Sequence, residues 1–187
     1  MDRAARPLRA YGRGVVRCTG CAGLVPDVEG PTHRYMVSAP GCWQAYGEVA
    51  VRAMQEPRAA RLRHSHVDCF AAQHPTDAAT DRRQRQSVAV HLVALCLRLE
   101  HHIQGIELSR RRQQVSDRTI HAAGLPDWPF LEPPDAVGDI RAIDLHDAPD
   151  AERFCALGEQ WPRTVWQAWA RHHGQVRTWT RLALGTR

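Results

Sequence analysis

A mostly α fold, built as a single-domain helical bundle with a knotted N-terminal loop and an extended Pro-rich segment, is predicted by three features of this 187-residue chain. Apolar residues recur at three- and four-residue steps from Trp43 to Met54, from Val88 to Leu99 and from Val165 to Trp179, the period of a helix face. Cys18, Cys21, His33 and Cys42 carry metal-ligand spacing inside a segment punctuated by glycine and proline. The word Leu125-Pro-Asp-Trp-Pro-Phe-Leu-Glu-Pro-Pro134 can be neither helix nor central strand, because proline withdraws backbone donors.

Taken in order, residues 1–16 read as a flexible basic lead-in, and 17–187 as one helical domain whose first part, 17–43, is a metal-binding loop and whose remainder, 44–187, is the bundle. Gly20, Gly23, Pro26, Gly30, Pro31, Pro40 and Gly41 leave the loop few apolar side chains, so burial alone cannot order it and a metal would supply the missing free energy. From Cys42 the pattern turns helical through Trp43, Tyr46, Val49, Ala50, Ala53 and Met54, and Pro57 ends or restarts it. A second helix is expected from about Ala59 to Gln73, closing at His74-Pro75, since the residue before proline is pushed out of helical geometry. Thr76–Arg82 is polar and loop-like. The third helix, about Arg83 to Ile103, is apolar around well over half its circumference, which marks a central helix; His91 sits in the remaining polar arc beside Leu95. Residues 104–121 are polar and helical with Gly105 as a break. Trp128, Phe130 and Leu131 should pin the Pro-rich segment across the bundle, and Gly138–Leu145 reads as a short strand or a connector. A last helical region starts near Pro149, is interrupted around Gly158 and Pro162, and resumes through Trp166, Trp169, His172, His173 and Trp179.

Composition removes several chemistries. The formal charge is +5 and all 25 basic residues are arginine; lysine and asparagine are absent. Schiff-base catalysis, a pyridoxal-phosphate anchor and a Walker A loop all need lysine, and a Cys-His-Asn triad needs asparagine. There is no Gly-x-Ser-x-Gly elbow and no Gly-rich phosphate loop. The arginine clusters around Arg58–Arg63, Arg82-Arg83 and Arg110-Arg111-Arg112 are scattered and read as solvated faces, with a nucleic-acid surface as the sharper alternative. No stretch reaches the roughly 18 apolar residues of a membrane helix. No apolar core follows the N-terminal arginines, so a cytoplasmic protein is expected. Cys69, Cys96 and Cys155 lie among apolar neighbours and read as ordinary buried thiols.

Two constellations could carry chemistry. Cys18-x2-Cys21 lets both thiolates turn toward one ion, with eleven residues intervening before His33 and eight more before Cys42. Zinc is the expected ion. Three thiolates and an imidazole suit a closed structural site; the competing reading keeps one position open for catalysis. The second group is His64, His66, Asp68, His74 and His91. His64 and Asp68 share a helix face, and His91 arrives from the central helix; imidazoles and a carboxylate from neighbouring helices are how bundles build acid–base or metal sites. The same residues would otherwise be capped or solvent-edge histidines around a structural Asp68.

Cys-x-x-Cys, Gly30-Pro-Thr-His-Arg-Tyr-Met36, Pro40-Gly-Cys-Trp43, Val67-Asp-Cys-Phe-Ala-Ala-Gln-His-Pro75, Gln86-Ser-Val-Ala-Val-His-Leu92 and Val165-Trp-Gln-Ala-Trp169 together resemble an uncharacterised bacterial family, a domain of unknown function, from about Cys18 to Trp179. The resemblance implies a cysteine-liganded metal and matching positions at Cys18, Cys21, His33, Cys42, Asp68, Gln73, His74, Gln86, Ser87 and His91. It implies no particular activity. Gln73, Gln86 and Ser87 are polar words beside apolar helices, where they must bond one another or surround a ligand.

Two functions follow. In the first, a small metalloenzyme, the thiolate knuckle positions His33, Arg34 and Tyr35 over a pocket containing Asp68, His74 and His91. Asp68 or His91 is the general base, Arg34 holds an anionic group of a small substrate, and Tyr35, Gln73, Gln86 and Ser87 line the ligand. The alternative is a binding or regulatory module with a structural zinc, meeting nucleic acid or an acidic partner through its arginine faces.

Overall fold

The computed structural model describes residues 14–75 and 79–185; most of the expected basic lead-in lies outside the described residues, as do 76–78 of the expected polar loop. The chain is mostly helical, as the periodicities predicted. Its axis is α3 (Arg82–Leu99), buried almost continuously from Val88 to Arg98 except at His91. Asp81 caps it by accepting from the Arg83 and Gln84 amides, satisfying two of the donors a helix start leaves over. The predicted length overshoots at the C-terminal end. The helix stops at Leu99, and His102 adopts a left-handed φ of 57° before Gly105, at φ 62°, opens α4 (Gly105–Ala122).

Around α3 pack α2 (His66–Gln73), α4, α6 (Ala151–Ala168) and α7 (His173–Leu184), while α1 (Pro40–Gln55) lies against the short α5 (Ala142–His146). Trp161, Trp169 and Trp179 are fully buried and dominate the core, each removing about 150–250 Å² from water. Two of their indole donors end on α2: Trp161 Nε1 donates to Gln73 Oε1 at 2.9 Å and Trp169 Nε1 to the Ala72 carbonyl at 3.1 Å. The Pro-rich segment crosses the bundle as expected. Trp128 is buried edge-on to Trp179 and Leu131 is buried, whereas Phe130 remains over a third exposed. Cys69 and Cys96 are buried in the core and Cys155 is half-buried.

Four local expectations change. A hairpin of β1 (Val15–Arg17) and β2 (Leu24–Pro26) precedes α1, with Val16 opposite Val25, so a strand begins inside the segment read as lead-in. The second helix is shortened to α2 because residues 57–59 and 62–64 form 3-10 turns. These turns are held by long arginines: Arg63 Nε donates to the Ala53 carbonyl, and the buried Arg98 reaches Ser65 Oγ and the Arg61 carbonyl. The connector at 138–145 contains α5, whose first turn is closed by Asp144 accepting from the Arg141 amide at 2.7 Å. Finally, α6 runs unbroken through Gly158 and Pro162. A proline inside a helix costs about 3 kcal/mol. Burying Phe154, Leu157, Trp161 and Val165 on one stripe outweighs that, and Gly158 lets the helix close onto Leu62.

Candidate functional site

The turn of the β1–β2 hairpin is the Cys-x2-Cys knuckle itself. The Cys18 amide donates to the Gly23 carbonyl at 2.8 Å and the Ala22 amide to the Cys18 carbonyl at 2.9 Å, with Ala22 in left-handed geometry (φ 57°). Both thiols face the start of α1, where Cys42 sits in the first turn. Gly41 beside it is needed because a Cβ would strike the Pro26 carbonyl.

The fourth donor is His74, not His33. The ligand atoms of Cys18, Cys21, Cys42 and His74 all lie within 4.8 Å of one another, and all four residues are buried. Cys21 Sγ and Cys42 Sγ are 3.8 Å apart, and Cys42 Sγ is 3.3 Å from His74 Nε2. His74 is delivered by the unwinding of α2 at its C-cap (φ −125°) before Pro75, and the Val37 amide bonds to its carbonyl. Its Nδ1 donates to the Phe70 carbonyl at 2.7 Å, which turns Nε2 toward the sulfurs as an acceptor. His33 instead accepts the Tyr35 amide on Nδ1 and packs its ring on Trp43. The 30–35 loop therefore lies beside the cluster's helix without contributing to it.

Electrostatics fit a cation here. Hydrogen bonds from Cys21 and Cys42 hold the Cys18 thiol far below the usual thiol range, while Cys42, facing those sulfurs, is driven far above it. Burial pulls His74 down, yet its bonds to Cys18 and Cys21 outweigh this and keep it at about 9. Left to protons alone, the cluster stabilises one negative sulfur and draws a proton onto His74. A metal ion would replace these protons and allow all three sulfurs to ionise.

A second polar constellation forms where α2, α3 and α4 meet. Asp68 is fully buried; His91 Nδ1 donates to its Oδ1 at 2.7 Å, and Arg112 NH1 reaches both carboxylate oxygens at 3.0 and 3.1 Å. Nearby, the Tyr46 hydroxyl is 3.1 Å from His66 Nδ1, and His64 Nδ1 is 3.2 Å from Ser109 Oγ. Burial raises the Tyr46 hydroxyl and lowers His66, so both are neutral near pH 7. Asp68 and His91 thus come together as the sequence suggested, whereas His74 belongs to the thiol cluster.

The remaining candidates divide. Gln73 is consumed by structure: its amide nitrogen donates to the Val137 and Ile140 carbonyls and its oxygen accepts from Trp161. Gln86 bonds Ser116 Oγ at 2.8 Å, and Ser87 is half-buried on α3. Arg34 and Arg83 both stand over the Tyr35 ring, at 5.7 and 5.2 Å. Arg112 escaped the sequence reading because it closes a basic run. The available signal was its place on the stripe Leu108, Arg112, Val115, Thr119, three members of which are buried.

Fold and site define a small helical protein whose N-terminal hairpin is tied to the bundle by a Cys3His cluster able to hold a metal ion. The chain belongs to DUF5946, a family of unknown function, whose model matches residues 16–170. No curated protein and no solved structure matches it.

Proposed function

We propose that the Cys3His cluster holds a closed structural zinc, and that the Asp68–His91 pair is the general-base element of an acid–base site acting on a small anionic substrate. The zinc reading is supported by distance. Four donors about 2.3 Å (sulfur) and 2.0 Å (nitrogen) from a central ion leave sulfur–sulfur edges near 3.8 Å in a tetrahedron. Cys21 and Cys42 have that separation, 3.8 Å. With four protein donors, all buried, no position is left for water, so the ion's work is to fasten β1–β2 to α1 and α2.

The observation that carries the acid–base reading is the 2.7 Å bond from His91 Nδ1 to a carboxylate with no solvent exposure. Asp68 fixes the tautomer, leaves Nε2 as the acceptor and meets the imidazolium charge when His91 takes a proton. Arg112, bonding both Asp68 oxygens, holds that carboxylate aligned. Side-chain general bases contribute about 10²–10⁴-fold. The module reading, with arginine faces meeting nucleic acid, has less behind it, since Arg85, Arg98, Arg111, Arg112 and Arg177 are paired with carboxylates of the chain itself.

The test combines elemental analysis with turnover of a panel of carboxylate- and phosphate-bearing carbonyl compounds and esters. One zinc per chain and a loss of about 10²-fold or more in His91→Gln, with metal content and melting temperature unchanged, is expected. Turnover equal to wild type in that variant removes the base.

A further inference from the structure

A cleft of about 470 Å³ lies between the Cys-x2-Cys knuckle and the Pro-rich segment, and none of its lining residues belongs to the Asp68–His91 constellation. Its volume is within the roughly 300–1,000 Å³ of small-molecule sites. Residues 19–22 line it from the knuckle and 133–137 from the segment, with Val37, Pro75 and Arg141 completing it. The segment is fastened on both sides of the cleft. Arg171 donates to the Glu132 and Pro133 carbonyls, His172 Nε2 to the Glu132 carbonyl, and Gln73 to the Val137 carbonyl at 3.0 Å. Just beyond, Gly138 takes a left-handed φ of 103° and presses on the backbone of Thr164, where a Cβ would lie 3.0 Å from its carbonyl carbon. A cleft whose walls are held in this way spares a ligand the cost of ordering them.

Two opposite charges line this one space. Arg141 is half-buried and fixed: its Nε donates to the Cys21 carbonyl at 2.8 Å, its NH1 to the Asp139 carbonyl at 3.4 Å, and its stem lies on Gly23, where a Cβ would stand 2.8 Å from Arg141 Cδ. A guanidinium carries five N–H donors, so with two used on these carbonyls three remain for a ligand. Asp135 contributes an exposed carboxylate from the segment. Among the described residues Arg141 and Asp135 form no ion pair, with each other or with any other side chain. The rest of the lining is largely apolar, with Val37, Pro75 and Pro134 offering surface and no side-chain donor.

We propose that this cleft is a second ligand site, separate from the Asp68–His91 pair, and that it takes a free α-amino acid with an apolar side chain. The charges select the class. A simple anion drawn to Arg141 meets repulsion from Asp135, and a simple cation drawn to Asp135 meets repulsion from Arg141. A small zwitterion satisfies both: its carboxylate accepts the unused N–H groups of Arg141 and its ammonium donates to Asp135. The side chain then lies on Val37, Pro75 and Pro134. Because Arg141 also holds the Cys21 carbonyl, the bound amino acid sits against the knuckle that the metal cluster closes.

Amide NMR on the full, zinc-loaded chain tests this with L-leucine as the probe, beside N-acetyl-leucine, which lacks the ammonium, and leucinamide, which lacks the carboxylate. Saturable leucine shifts are expected at Gly20, Ala22 and Ala136. Each of the two blocked compounds should bind about tenfold or more weakly, the loss of one hydrogen bond between charged groups. Asp135→Asn, an exposed change that leaves the fold alone, should weaken leucine by a similar factor and leave N-acetyl-leucine where it was. Arg141→Gln should do the same for leucine and spare leucinamide. Equal binding of all three compounds, or Asp135→Asn binding leucine like wild type, overturns the zwitterion. Inorganic phosphate shifting the same amides as strongly as leucine leaves an anion site and refutes the amino acid. Absence of saturable leucine shifts, or shifts confined to residues around Asp68 and His91, removes the second site while leaving the Asp68–His91 base to its own test.

Discussion

Gly20 is pressed against His74: a Cβ at this knuckle position would lie 2.6 Å from His74 Cδ2 and overlap the Val37 carbonyl. The hairpin turn and the end of α2 touch where no side chain fits, and that contact brings Nε2 of His74 to the sulfurs. Gly20→Ala should push the knuckle from α2 and open the donor set. Zinc affinity, measured by competition with a chromogenic chelator, is expected to fall at least about tenfold, as for loss of a supporting contact around a metal. Affinity equal to wild type would show that the turn relaxes without moving the ligands.

Replacing the two candidate imidazoles separates the two assignments of the fourth ligand. His74→Ala should lose or severely weaken the metal and, since structural zinc in small domains contributes about 10 kcal/mol or more, destabilise the hairpin and α1 contact. His33→Ala should keep one ion per chain. Elemental analysis after dialysis against a weak chelator reads both, and metal loss in His33→Ala with retention in His74→Ala would reverse the assignment.

Gln73 joins α2 to α6 and to the 137–140 segment through three bonds, two of them buried. Gln73→Leu leaves the Trp161 indole donor and two carbonyls without their partner, each unsatisfied group costing about 1–3 kcal/mol. A drop of about 2–5 kcal/mol in unfolding free energy by urea titration is expected. A loss below 1 kcal/mol would mean that water takes over these bonds.

His66 makes stability depend on pH. Burial lowers its proton affinity in the folded chain below the ordinary value of 6.5, with Asp68 opposing and Arg112 adding to the shift. The unfolded chain therefore binds the proton more readily. The stability that neutral His66 contributes is complete above pH 6.5 and is lost as pH falls below it. His66→Gln should flatten the decline of the urea midpoint as pH falls below 6.5 relative to wild type. Superimposable profiles would contradict the shift.

The sequence by itself determined the helices with long apolar stripes. The run Val88–Leu99 could only be a central helix, and the spacing of Trp43, Tyr46, Val49 and Ala53 could only bury one face of α1. It also determined that Cys18 and Cys21 converge, because two intervening residues constrain both thiols locally. What lay beyond was set by contacts between distant segments. Three-residue strands such as Val15–Arg17 have too short a pattern to stand out, and α6 continues through Pro162 only because Leu62 and the buried tryptophans hold its face. Arg112 looked like one charge in a basic run until α4 turned it onto Asp68. The choice of His74 over His33 is of the same kind. Both are within reach of Cys42 along the chain, and only the packing of the knuckle against the unwound end of α2 decides which imidazole the sulfurs meet.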